Sequence, residues 1–224
     1  MPNNTLVINL THNCNLNCIF CFWPKKENYY KSIEAIEEII KNNIDKEYIV
    51  LSWWEPLLHK DINEIIKLIY KKYNKKIILH TNWILLDNNF LNLNKNYIYR
   101  INLPLDSLNK KNTIKLRWKF FYEIIKDRIF LVKKFNIKLS ITTVFTSINQ
   151  DDYKELIDFI NNINPILWRV FEFKLIEKNK DFSFLKPSKD KIKEFIEYTK
   201  QYLKIKRFEF IDSESNFYKN YKII

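Results

Sequence analysis

Apolar positions switch along the chain between short continuous runs and helical spacing. Leu6, Val7, Ile8 and Leu10 predict a first strand over residues 5–10. Ile33, Ile36, Ile39 and Ile40 then recur at the spacing of one helical face, and a second run predicts a strand over 48–52. Ile62, Ile65, Ile66 and Ile69 mark the next helix, followed by strands over 76–81 and 98–103. Phe121, Ile124, Ile125, Val132 and Phe135 line a further helix before a fifth strand over 137–144. Tyr153, Leu156, Ile157 and Ile160 repeat the helical pattern, and 167–173 reads as a sixth strand. A polar turn near 177–181, a helix over 188–203 and a short strand over 206–211 close the series.

Strands that are apolar on both faces and alternate with helices predict an α/β fold with a parallel sheet and helices outside. About six such units predict a partial (β/α)6 TIM-like barrel, whose chemistry sits on loops leaving the C-terminal ends of the strands. With 224 residues and no long linker, the pattern predicts a single domain over 1–224. No run of about 18 apolar residues exists to span a membrane. The first strand follows Met1 so closely that no secretory leader is expected, which points to the cytoplasm.

Composition changes this picture in two ways. Hydrophobic residues make up 46% and charged residues 29%, which excludes a disordered chain. There is no glycine at all, where average usage of about 7% predicts roughly 16, although an α/β fold needs positive-φ turns that glycine fills at least cost. The formal net charge is +12. A chain crowded with Lys, Asn, Ile, Phe and Tyr fits an AT-rich gene better than a nucleic-acid surface, because no Arg/Lys cluster with interleaved aromatics stands out.

The three cysteines fall within eight residues, in His12-Asn13-Cys14-Asn15-Leu16-Asn17-Cys18-Ile19-Phe20-Cys21, directly after the first strand. Such spacing is no secreted disulfide framework. Three thiolates on one loop suit three irons of a 4Fe-4S cluster, with the fourth iron open to a small molecule. A closed zinc site is the alternative, but it needs a fourth ligand, and His12, His59 and His80 lack zinc-finger spacing.

This loop resembles the C-x3-C-x-aromatic-C signature of radical S-adenosylmethionine (SAM) enzymes, with Phe20 at the aromatic place. The resemblance implies a 4Fe-4S cluster on Cys14, Cys18 and Cys21, S-adenosyl-L-methionine on the open iron, and Phe20 near the adenine. It also implies an electron donor such as flavodoxin or ferredoxin. The second strand ends Ser52-Trp53-Trp54-Glu55-Pro56-Leu57, which is similar to the family's Ser-Gly-Gly-Glu-Pro-Leu. Ser52, the backbone of Trp53 and Trp54, and Asn82 would then contact SAM, with Glu55 receiving its ammonium. Trp83 and Trp118 likewise stand where the family has glycine. An indole carries roughly 150–250 Å² of surface into a place built for none. The expectation is a UGA codon that means glycine in the source and is read here as tryptophan; Trp168 looks genuine and Trp23 is undecided. If the tryptophans are real, the pocket is blocked and the chain as written is inactive.

The stretch Asn164-Pro165-Ile166-Leu167-Trp168-Arg169-Val170-Phe171-Glu172, followed by Leu175-Ile176-Glu177, resembles the viperin family. Further matches are Asp106-Ser107, Leu116-Arg117-Trp118, Ile141-Thr142-Thr143-Val144 with Asn149, Glu214-Ser215-Asn216 and Tyr221-Lys222-Ile223-Ile224. That resemblance implies a nucleotide dehydratase, a lyase that converts a ribonucleoside triphosphate to its 3′-deoxy-3′,4′-didehydro form for antiviral defence. Arg117 and Arg169 would face phosphates, with Thr142 and Lys174 as weaker substrate contacts. Tyr48 and Ser140 depart from the pattern, and the chain ends where the family continues with a C-terminal extension. No membrane helix and no nucleic-acid partner are expected. Two other classes remain: a peptide- or cofactor-modifying radical SAM enzyme, disfavoured by the lack of extra cysteines, and a non-catalytic iron-sulfur or RNA-binding protein.

Overall fold

The computed structural model of the chain describes residues 4–21, 28–117, 121–175 and 177–215. Trp23, Trp118, Ile176, Asn216 and the 221–224 match lie outside the described residues.

Seven strands form one sheet in chain order: β1 (Thr5–Asn9), β2 (Tyr48–Ser52), β3 (Lys76–His80), β4 (Ile98–Pro104), β5 (Lys138–Phe145), β6 (Leu167–Glu172) and β7 (Phe208–Ile211). Every neighbouring pair is parallel. Helices connect them: α1 (Ile33–Lys41), α2 (Ile62–Lys67), α3 (Asn88–Asn94), α4 (Lys110–Leu116), α5 (Phe121–Lys134), α6 (Tyr153–Ile163) and α7 (Lys189–Tyr202). The sheet curls into the half-barrel that the alternating pattern predicts, with β7 added to the six main units.

Alternation within each strand sorts the side chains onto two faces. Leu6, Ile8, Ile49, Leu51, Ile77, Leu79, Ile101 and Leu103 are buried in one cluster with Ile36, Ile40, Ile65, Ile66 and Ile69. Val7, Val50 and Ile78 form a separate cluster with Tyr48 and Tyr99, inside the curl. Polar and charged residues of the same parity continue this inner face: Ser52, His80, Asn102 and Thr142 towards the C-terminal ends, Arg100 and Arg169 deeper. A register shift between Ile77 and Ile78 brings Arg100 opposite Ile78.

Helix starts follow local capping chemistry. Ser32, Asp87, Asn109 and Ser188 each accept a backbone N–H from the first turn of α1, α3, α4 and α7. α2 loosens over Leu68–Lys72 into a π-helical turn. The expected polar turn near 177–181 is instead a 3-10 helical stretch over Glu177–Leu185. Its end carries Phe182 and Leu185, which pack with Phe20, Leu116 and Phe173. That apolar contact holds the segment over the C-terminal end of the sheet. No helix among the described residues is long and apolar enough to cross a membrane.

Candidate functional site

The cysteine loop leaves β1 and is pinned from three sides. Thr11 Oγ1 accepts Asn13 N–H at 3.0 Å and donates to Tyr29 O at 2.8 Å. The β2 loop donates Glu55 N–H to Asn13 O at 2.9 Å, and Ile19 N–H reaches Leu116 O at the end of α4 at 3.1 Å. Asn82, after β3, donates its amide to Asn15 Oδ1 at 2.6 Å and to Cys14 Sγ at 3.6 Å. Leu16 N–H donates to the same sulfur at 3.4 Å. Arg117 Nη1 donates to Cys18 Sγ at 3.5 Å.

The three cysteines are electrostatically coupled. Burial raises the Cys14 thiol, and Cys21 adds to that rise. Burial pushes Cys18 up to about 11 against the pull of Arg117, with Cys21 and Cys14 adding to the rise. A thiol so hard to ionise alone becomes a thiolate by binding a metal. Among the described residues no three His, Cys, Asp or Glu side chains stand close enough together to hold a metal ion. The histidines are engaged elsewhere: His12 stacks on Trp54 with centroids 4.5 Å apart, His59 Nε2 lies 2.9 Å from Lys31 O, and His80 Nδ1 lies 3.1 Å from Ser52 Oγ. Three sulfurs on one loop, two of them with N–H donors, therefore fit a cluster better than a zinc ion.

Beside this loop a cavity opens, lined by Phe20, Cys21, Ser52, Trp53, Trp54, His80, Thr81, Asn82, Asn102, Pro104, Arg117, Thr142, Val144, Phe171, Glu172, Phe173 and Lys174. It thus gathers Phe20, Ser52, Asn82, Arg117, Thr142 and Lys174 from the sequence-predicted set. Thr142 Oγ1 donates to Asn102 Oδ1 at 3.0 Å, and Ser140 Oγ donates to the same oxygen at 2.9 Å.

Geometry places two of the expected residues off the cavity wall. Glu55 is not on the cavity wall but fully buried behind it. Its Oε1 accepts Thr81 Oγ1 at 2.7 Å and Leu57 N–H at 3.0 Å, and its Oε2 accepts Asn82 N–H at 2.6 Å. These bonds tie the β2 and β3 loops together, so Glu55 positions Asn82. Arg169 also lies off the wall, 3% exposed in the curl, with Nε 2.7 Å from Glu209 Oε2. Arg117 does reach the cavity, but its Nε pairs with buried Asp106 and its guanidinium lies over Phe20 at 4.9 Å. Burial pulls Arg117 down and the Asp106 carboxylate more than reverses it, holding the guanidinium well above its ordinary range.

Burial pushes Glu55 up from 4.5 to about 7 despite its three donors. A raised carboxylate binds more protons folded than unfolded between these values, so its contribution to stability falls as pH rises from 4.5 to about 7. Glu55→Gln is expected to flatten the pH dependence of urea unfolding in that window. An unchanged slope would show that Glu55 titrates normally.

Sequence reasoning missed Arg100 and Asn102. Burial lowers Arg100 to about 10, and nearby Arg169 and Arg207 add to the fall. Burial likewise takes His80 down to about 3, helped by Arg100 and Arg169, so it is neutral. Arg207 joins Arg169 on Glu209, with Nη2 at 2.5 Å from Oε1. Arg169 and Arg207 thus share the Glu209 carboxylate, and Arg100 lies near enough to be affected by all three charges. The available signal was parity, since Arg100 and Asn102 alternate with apolar Ile101 and Leu103 on β4.

The cavity holds about 300 Å³, the bottom of the usual range for one drug-sized ligand. Trp53 and Trp54 stand in its wall with φ of 68° and 40°, and Trp83 nearby has φ of 80°. Left-handed backbone at a bulky residue costs on the order of 1–3 kcal/mol. The polar groups suit SAM, and the two indoles take up room in the wall beside them.

Residues 8–160 match the family model described as the Radical SAM superfamily. A GTP 3′,8-cyclase of Synechocystis is 33% identical over 69% of this chain and 49% of its own length. A GTP 3′,8-cyclase of Aquifex aeolicus is 32% identical over 83% of this chain and 61% of its own. The chain therefore spans about half to three fifths of the length of these relatives. Among solved structures, Streptococcus suis SuiB bound to S-adenosylmethionine has a TM-score of 0.72 at 22% identity, covering 97% of this chain and 52% of that one. The enzyme anSMEcpe with bound AdoMet and a peptide has a TM-score of 0.73 at 18% identity, covering 87% of this chain and 58% of that one. These likenesses establish the fold.

Proposed function

Because the chain belongs to the radical SAM superfamily, we propose that it acts on the ribose of a ribonucleoside triphosphate and changes the 3′ carbon. The observation that carries this reading is the excess of cations on the inner face, where Arg169 and Arg207 share the Glu209 carboxylate and Arg100 lies near both. Guanidiniums in excess of carboxylates, partly stripped of water, suit the oxygens of a polyphosphate. Relatives named for action on GTP support the same substrate class.

When bound, the 4Fe-4S cluster and SAM supply a carbon-centred radical that takes a hydrogen atom from substrate. Cys14, Cys18 and Cys21 hold the cluster, and Asn82 and Arg117 donate to two of its thiolates. Ser52, the backbone at 53–54 and Asn82 face SAM, with Glu55 fixing Asn82 from behind. Phe20 and Phe173 form the apolar wall that keeps water from a radical. Thr142, Asn102 and Lys174 border the sugar side, while Arg117 on the wall would meet the phosphates and Arg169 and Arg100 on the inner face would add positive potential. An external one-electron donor of the flavodoxin or ferredoxin type completes the system.

The viperin-like stretch over 164–177 favours loss of the 3′ hydroxyl as water, giving a 3′-deoxy-3′,4′-didehydro nucleotide with an antiviral role. The names of the relatives favour a second reading, ring closure between C3′ and C8 of GTP. Both alter the same carbon. The test is anaerobic incubation of the protein carrying glycine at 53, 54 and 83 with SAM, a reductant and each triphosphate in turn, following 5′-deoxyadenosine and the nucleotide product. Nucleotide-dependent deoxyadenosine is expected, with a product lighter by one water for dehydration or a C3′–C8 bond for cyclisation. Deoxyadenosine that no triphosphate stimulates contradicts the proposal.

A further inference from the structure

Among the described residues, six positions have left-handed backbone: Asn74, Asn136, Asn164, Trp53, Trp54 and Trp83. The two groups differ in kind. The asparagines follow helices, Asn74 after the π turn that extends α2, Asn136 after α5 and Asn164 as the C-cap of α6. Asparagine is the side chain that best tolerates this backbone after glycine, and a helix end is its usual place. The tryptophans sit in loops, two of them consecutive, at φ of 68°, 40° and 80°. Positive φ at a bulky residue is a genuine outlier.

Trp168 provides the contrast. It lies within β6, its indole donates to Thr143 Oγ1 at 2.9 Å, and its ring packs edge-on to Phe195 at 5.9 Å. Tryptophan is used there as tryptophan. The chain holds six tryptophans and no glycine, and the positions that most require glycine are held by the largest side chain. We propose that residues 53, 54 and 83 are glycine in the protein made by the gene's own host, through UGA codons that the host decodes as glycine. Residue 168 stays tryptophan, encoded by UGG.

The consequence is a different cavity. Glycine at 53 and 54 removes two indoles from the wall beside Ser52 and bares backbone amide groups to a ligand with an amino-acid head. A glycine at 83 frees the turn that sets Asn82. Backbone geometry carries the proposal whichever nucleotide the protein takes.

Mass spectrometry of tryptic peptides from the host's own protein tests it. The peptide over 47–60 should be lighter by two tryptophan-to-glycine differences and that over 77–95 by one, while the peptide over 155–169, carrying Trp168, keeps its full mass. Tryptophan at 53, 54 or 83 overturns the proposal. A second arm compares the chain as written with the triple variant W53G/W54G/W83G, both reconstituted with iron and sulfide. Addition of SAM should alter the electron paramagnetic resonance of the reduced cluster in the variant alone. An equal response in the chain as written would overturn the claim that the indoles close the site. Neither arm uses a nucleotide, so failure of the substrate reading leaves both results standing.

Discussion

Replacing Cys14, Cys18 or Cys21 singly with alanine is expected to abolish the broad visible absorbance of the reconstituted cluster and any cleavage of SAM. A four-iron cluster on three protein thiolates has no ligand to spare. Each loss should be near complete rather than graded, and should appear in iron content as well as turnover. The substitutions should leave the fold in place. Cys14 and Cys18 pack against the main core without belonging to its fully buried set, and Cys21 is exposed. Circular dichroism checks this. A cysteine variant that keeps full iron content would remove that residue from the ligand set.

Asp106→Ala should have the largest effect on stability. The Asp106 carboxylate is buried, pairs with Arg117 and accepts Val144 N–H at 2.8 Å. Breaking a buried ion pair from one side leaves an uncompensated charge and costs about 3–5 kcal/mol. The free energy of unfolding from a denaturant titration should fall by that amount, with loosening of the C-terminal end of α4 and so of Ile19 on the cysteine loop. Combining it with Arg117→Met should recover part of the loss, because the charge left unpaired is then gone. Purely additive effects of the two substitutions would show that the pair is not coupled.

Much of the fold was legible because its strands are buried on both faces. The run over 48–52 coincides with β2, and the helical stripe from Tyr153 to Ile160 is wholly buried in α6. The strand ends at Leu10 and Thr81 are overread by one residue, since both remain buried after the ladder ends. α3 went unseen because Asn88, Asn89, Asn92 and Asn94 dilute its apolar face of Phe90 and Leu91. The 3-10 stretch over Glu177–Leu185 is helical where its polar start suggests a turn; its hold on the fold is the later Phe182 and Leu185.

The site was legible where chemistry depends on spacing within one loop. Cys14, Cys18, Phe20 and Cys21 needed no knowledge of the fold to be picked out. Ser52 and Asn82 came from resemblance and do face the cavity. The partners of Glu55 and Arg169 were not legible, because sequence shows that a charge is present but not what surrounds it. Thr81 and the Asn82 backbone meet Glu55 only when two strand ends lie side by side, and Glu209 meets Arg169 from 40 residues away. Arg100 shares a face with Asn102 by the alternation of β4, but the register shift that sets it opposite Ile78 was not legible.

The most direct measurement is the iron and acid-labile sulfide content of the anaerobically reconstituted chain, since no tryptophan in question belongs to the cysteine loop. About four irons and four sulfides per chain, lost together when one of the three cysteines is removed, are predicted. One tightly held zinc with no sulfide would contradict the account.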